Sequence, residues 1–330
     1  MISKRWSPLL LALLVGLLSC SRKEPPAPPP EVDAGPAEPV EVITFAADQL
    51  SSFGQLPKRR DRKDNPISRE KIALGRMLYF DARLSREGDL ACNTCHALDA
   101  HGVDPRGGVR ATMGHPGQTG ERNAPSVYNA AVHSRLLRDG RESTVELPLA
   151  DPEATVAALR AIPGYAERFA AVFPGEEEPI TPQNVSFALG AFLRGLMTPS
   201  RFDAYLGGDA EALTLEEKRG LKTFLALGCP TCHNGVALGA TSLQPRSPGG
   251  EAPEKLETPS LRNVAKTAPY GHTGEVASLE AMVRRMAEER LDGKALDEAQ
   301  VESLLTFLEA LTGELPADYI ARPELPAAPD

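Results

Sequence analysis

Apolar residues recur at helical spacing in several stretches of this chain, and no alternating run long enough for a substantial strand is found. Ile67, Leu74, Met77 and Leu78 share one face of a helix that Asn65-Pro66 opens, asparagine as the cap and proline at the first helical position. Thr214 and Glu217 form a capping box ahead of Leu221, Phe224 and Leu225. Ser278–Arg290 reads as a further helix, and Val301, Leu304, Leu305, Leu308 and Leu311 make a last stripe, stopped by Gly313. Thirty prolines and 28 glycines against 5% aromatics imply many turns between these helices. The fold class expected is mainly α with long loops.

The one long apolar run, Leu9 to Leu18, is too short to cross a bilayer as a helix. Lys4 and Arg5 precede it and Ser19-Cys20 follows, which is the pattern of a signal peptide. A cysteine directly after the small residue resembles a bacterial lipoprotein signal, which would make Cys20 the lipidated first residue of the mature protein. Plain secretion, with Cys20 lost or idle, is the other reading. Seven prolines between Pro25 and Pro39 then make a tether that cannot bury a core. The net charge of −9, with no basic block, argues against a nucleic-acid partner.

Only four other cysteines exist, in Cys92-Asn93-Thr94-Cys95-His96 and Cys229-Pro230-Thr231-Cys232-His233. Each Cys-x-x-Cys-His places two thiols to add to the vinyl groups of a haem, with the adjacent histidine as an axial iron ligand. Zinc held by both pairs needs no histidine after each second cysteine, and no βαβ pattern frames a thioredoxin-like redox pair. Disulfides are the remaining alternative. Two covalent c-type haems are the expectation.

Ala124-Pro125-Ser126-Val127-Tyr128-Asn129-Ala130 matches Thr258-Pro259-Ser260-Leu261-Arg262-Asn263-Val264 at an offset of 134. Gly140 matches Gly274 at the same offset, Thr144-Val145-Glu146 matches Ser278-Leu279-Glu280, and the two haem motifs lie 137 apart. Two copies of one haem-binding unit, related by internal duplication, is the economical explanation. The copies differ in one telling place. Met286, on the Ser278–Arg290 stretch, reads as a thioether ligand or, with Met282, as core packing. The offset sets Pro152 opposite it, so the first copy must leave its sixth position empty or fill it from elsewhere. His101, His115, His133 and His272 remain, and His115 sits in the Gly-rich loop Met113-Gly114-His115-Pro116-Gly117.

Taken together, Leu74-Gly75-Arg76-Met77-Leu78-Tyr79-Phe80-Asp81, both haem motifs, Arg122-Asn123-Ala124-Pro125-Ser126, Asp139-Gly140-Arg141, Pro259-Ser260-Leu261-Arg262-Asn263-Val264 and Ala268-Pro269-Tyr270-Gly271-His272 resemble the bacterial dihaem cytochrome c peroxidase family. The likeness runs in order over about residues 66–313. It implies peroxide reduction at the first haem, fed with electrons from the second. By residue match, His96 and His233 are proximal ligands, Met286 is the distal ligand of the second haem, and His115 is the displaceable distal ligand of the first. Asn123, with the carbonyls of Thr267 and Pro269, matches an interdomain Ca²⁺ site. Two departures stand out. The tryptophan usual before Asp-Gly-Arg is Arg138 here, and the loop carrying the catalytic glutamate is shortened, with Glu153 the nearest match and Glu146 the alternative.

The residue pattern gives a lipoprotein signal over 1–19 and a Pro-rich tether over 20–44; the resemblance implies a peroxidatic cytochrome c domain over 45–197 to which 314–330 returns, and an electron-transfer cytochrome c domain over 198–313. It implies hydrogen peroxide as substrate, and a small cytochrome c or copper protein as electron donor, in the bacterial periplasm. The membrane is met through the lipid anchor only, and homodimerisation is left open. A dihaem electron carrier, and a dihaem oxidase acting on another protein or an organic substrate, are the alternative functions.

Overall fold

Ser68, rather than Asn65, opens the first long helix. Its hydroxyl accepts the Lys71 N–H at 3.1 Å, capping helix α1 (Arg69–Phe80). Asn65 is spent elsewhere: it is fully buried, donates to Glu146 and to the Phe187 carbonyl, and accepts from Lys71 Nζ. The computed structural model describes residues 41–106, 122–137, 139–245, 255–291 and 293–327. The signal segment with Cys20, the tether up to residue 40, the loop with His115, and Arg138 lie outside these residues.

After α1 come α2 (Pro152–Ala161), α3 (Pro163–Val172) and α4 (Pro182–Leu193), each with proline in its first turn. Helices α5 (Arg201–Leu206), α6 (Leu215–Ala226), α7 (Leu279–Arg290) and α8 (Glu298–Glu309) follow. The capping box of α6 is present, with Glu217 N–H to Thr214 Oγ1 at 3.2 Å and Thr214 N–H to Glu217 Oε2 at 2.9 Å. Among the described residues the only strands are β1 (Leu243–Pro245) and β2 (Lys255–Glu257), an antiparallel ribbon in which Leu243 faces Glu257. The architecture is mainly helical, and no described helix is long and apolar enough to cross a membrane.

Two helix pairs organise the apolar core, and each closes at a glycine. A Cβ on Gly75 of α1 would collide with the Ala188 carbonyl of α4, and one on Gly220 of α6 with the Ser303 carbonyl of α8. Leu74, Leu78, Leu159, Tyr165 and Phe169 pack around the first pair. Phe202, Leu221, Phe224, Leu304 and Phe307 pack around the second. Each region also buries an Arg–carboxylate pair, Glu146 with Arg194 and Asp203 with Arg262, the latter at 2.8 Å. Tyr319, far along the chain, stacks on Phe192 of α4 and donates its hydroxyl to the Phe192 carbonyl at 2.8 Å.

The junction between the two regions is a hydrogen-bonded knot at Thr198. Asn129 and Asn263, matched in the sequence offset, both adopt a left-handed backbone, with φ of 61° and 59°. Both donate Nδ2–H to the Thr198 hydroxyl, at 2.8 and 2.9 Å. Asn129 Oδ1 accepts the Thr198 N–H, and Asn263 Oδ1 accepts the Gly313 N–H. All three side chains are buried, so these bonds satisfy groups that water cannot reach.

Candidate functional site

Cys92–Cys95 forms a single helical turn that presents both thiols beside His96. The His96 Nδ1 lies 3.0 Å from the Pro125 carbonyl and 3.4 Å from that of Gly102. A carbonyl can only accept, so Nδ1 carries the proton and Nε2 is the nitrogen left for a metal. Burial pushes the imidazole below its ordinary pKa, which keeps it in the neutral, ligating form. The Tyr79 hydroxyl donates to the His96 carbonyl at 2.6 Å, and Tyr128 donates to that of Leu98 at 2.8 Å. Two buried phenols thus fix the backbone at this ligand and two residues after it.

The second motif follows the same plan. Cys229–Thr231 is a 3₁₀ turn, His233 Nδ1 faces the Leu238 carbonyl at 3.3 Å, and burial again lowers the imidazole pKa. Here the walls enclose a cavity of about 570 Å³, lined by Cys229, Cys232, His233 and, from α7, Met282 and Met286. Met282 also packs against the surrounding apolar core. The cavity is mostly apolar, from Phe224, Leu261, Val283 and Leu304 among others. Two thiols, a neutral imidazole and a thioether around one apolar space are a donor set that fits a haem. No disulfide joins the four cysteines described. Among the described residues no three His, Cys, Asp or Glu side chains converge to hold an ion, so the two cysteine pairs do not combine into a zinc site.

Asn123 and Pro269, distant in sequence, are brought together: Asn123 Nδ2 donates to the Pro269 carbonyl at 2.7 Å, and its N–H donates to the His272 carbonyl at 2.7 Å. Thr267 lines the same cavity as both. Glu153 is exposed in the first turn of α2, whose cap, Asp151, pairs with Arg86 at 2.7 Å. Glu146 is in a different situation. Its carboxylate is buried, pairs with Arg194 and with Arg62, and accepts from Thr144 and Asn65. No oxygen of Glu146 is left to carry a proton to a substrate. His115 is outside the described residues.

The curated proteins and solved structures that resemble this chain agree on its kind. A model of the family described as di-haem cytochrome c peroxidase matches residues 69–211. Cytochrome c551 peroxidase of Pseudomonas aeruginosa is 35% identical, over 88% of this chain and 93% of its own length. The chain belongs to the di-haem cytochrome c peroxidase family. Methylamine utilization protein MauG of Methylorubrum extorquens is also similar, 32% identical over 80% of this chain and 84% of that protein. Among solved structures, a MauG-like protein associated with microbial copper homeostasis superposes with a TM-score of 0.71 at 30% identity, covering 82% of this chain and 97% of that one. As a member of this family the chain is an oxidoreductase of the cytochrome-c peroxidase class with haem c cofactors. Tyr79 and Tyr128 went unassigned in the sequence because their phenols meet backbone carbonyls, which no residue pattern reveals.

Proposed function

We propose that this chain reduces hydrogen peroxide to two waters, taking two protons and two electrons that arrive singly from a small cytochrome c or copper protein. The observation that carries this reading is the asymmetry of the two motifs. His233 and Met286 border one cavity, so an imidazole and a thioether would both be available to hold a haem at the second site. The residue matched to Met286 in the first half is Pro152, which begins α2 and can ligate nothing. The first site is therefore where an exogenous oxygen can bind, and the second is where an electron is stored.

Cys92 and Cys95 would hold the first haem with His96, and Cys229 and Cys232 the second with His233 and Met286. Haem in these sites supplies a redox-active iron, open to peroxide at the first and closed at the second. The chain's own part is to orient His96 through Pro125, to hold both imidazoles neutral and to handle the proton. Glu153 is the carboxylate assigned to move that proton between the peroxide oxygens, since Glu146 is committed to its arginines. His115, by its match to the family, would be the displaceable distal ligand of the first haem. Asn123 and the carbonyls of Thr267 and Pro269 would hold Ca²⁺ once the Asn123 amide turns its oxygen inward. Export to the periplasm and lipidation at Cys20 complete the reading.

The test is peroxide turnover by the half-reduced full chain, followed alongside its haem spectra. Rapid turnover with a high-spin first haem supports the reading. Two six-coordinate haems and no turnover would make the chain an electron carrier. Turnover only with an organic or protein co-substrate would make it an oxidase, as its likeness to MauG allows. In His115→Ala the oxidised protein is expected to be high-spin at the first haem and to react without prior reduction; a spectrum and rate like the parent's would remove His115 from the gate.

A further inference from the structure

His133 is a largely buried histidine that nothing above uses. It follows the turn Ala130–Val132, which the left-handed Asn129 initiates, and its neighbour Ser134 is bonded through N–H and hydroxyl to the Ala240 carbonyl, at 3.1 and 3.0 Å. Ala240 in turn donates to the Thr258 carbonyl at 2.7 Å. This ladder sets His133 beside Glu257, the last residue of β2, with Nδ1 3.3 Å from the Glu257 carboxylate. The two side chains are only 10% and 8% exposed, and both line the cavity that Cys229, Cys232, His233 and Met286 border. The His133 Nε2 is fully buried and has no hydrogen-bond partner in the protein.

A buried, unpaired ring nitrogen is destabilising unless an occupant of the cavity satisfies it. A haem offers few partners. Its iron has His233 and Met286, its edge is hydrocarbon, and its two carboxylates are the only remaining polar groups. Arg285, also on the cavity wall, is already paired with Glu275 and Glu289, at 3.0 and 2.6 Å. We propose that His133, set beside Glu257 and protonated on both ring nitrogens, donates Nε2–H to a propionate of the second haem and thereby tunes that haem's potential. This rests on the reading that Cys229, Cys232 and His233 hold a haem. His133 is thus a positioning residue supplied by the first half of the chain to the haem of the second. A donor on the propionate withdraws negative charge from the haem edge and favours the ferrous state, whereas the Glu257 carboxylate opposes it.

The experiment uses the full holoprotein, with two haems per chain verified by intact mass; fewer would sink the underlying reading rather than this one. Redox titration of each haem and the resonance Raman propionate bending mode are then measured for His133→Phe, His133→Gln and Glu257→Gln. In His133→Phe the second haem's potential is expected to fall and its propionate mode to shift, with the first haem unchanged and the second still methionine-ligated. His133→Gln, which keeps a donor, should restore most of both signals, and Glu257→Gln should move the potential the other way. An unchanged propionate mode and potential in His133→Phe would overturn the proposal. So would loss of the second haem's low-spin signature, which would make His133 an iron ligand. Should His133→Phe fail to fold, Glu257→Gln decides: with the second haem's potential unmoved, the proposal is lost.

Discussion

The Glu146 carboxylate sits between Arg194 and Arg62 with almost no exposure. Burial by itself would raise its pKa, but the Thr144 hydroxyl, the Asn65 amide and the charge of Arg194 together hold it below the usual value. A carboxyl lowered on folding contributes stability that is fully present above its unfolded value of about 4.3 and is lost as pH falls through the folded one. Glu146→Gln would leave the Arg194 charge buried without its counter-ion, a loss of about 3–5 kcal/mol read from denaturant unfolding at pH 7. The same variant should unfold with a weaker acid dependence than the parent. Glu153→Gln is expected to behave in the opposite manner. It should leave stability within about 0.5 kcal/mol and slow peroxide turnover by about 10²-fold or more; a rate near the parent's would take Glu153 out of the chemistry. Both glutamates stood as candidates in the sequence, because spacing to a motif says nothing about which arginines fold against a carboxylate.

Helices were readable where an apolar stripe coincided with a cap, as in α6 with Thr214 and Glu217. The start of α1 was misread because Asn65-Pro66 looks like a cap, and only tertiary contact shows the asparagine bonded to Glu146, Phe187 and Lys71. The knot at Thr198 was equally hidden. The sequence offset pairs Asn129 with Asn263, but it gives no hint that both reach one hydroxyl from opposite sides. Thr198→Val removes that acceptor and strands two buried N–H groups, so stability should drop by about 2–5 kcal/mol, with Thr198→Ser losing much less. At the helix crossings the penalty is steric: Gly75→Ala forces α1 off the Ala188 carbonyl, at about 1–3 kcal/mol. A thermal midpoint unchanged by Gly75→Ala would mean that the helices can part without loss.

Over the whole molecule, were the segment with Lys4 and Arg5 removed as a signal, 34 basic residues would stand against 45 acidic ones, a balance of −11. Such a field would steer a basic-faced donor. Turnover with a basic cytochrome should therefore fall several-fold as salt rises from about 0.01 M to about 0.15 M, over which the Debye length shrinks from about 30 Å to about 8 Å. A flat profile would mean that the acidity serves solubility alone. The path of the chain carries a different consequence. Phe192 of α4 packs edge-on against Tyr79 of α1, yet its stacking partner Tyr319 lies beyond α8. A ribosome makes the whole second core before it makes that tyrosine, and a nascent chain folds in the order in which it emerges. The earlier core must therefore wait, with one face of α4 uncovered, until nearly everything after it has been synthesised, so the half that appears first is the half that is completed last.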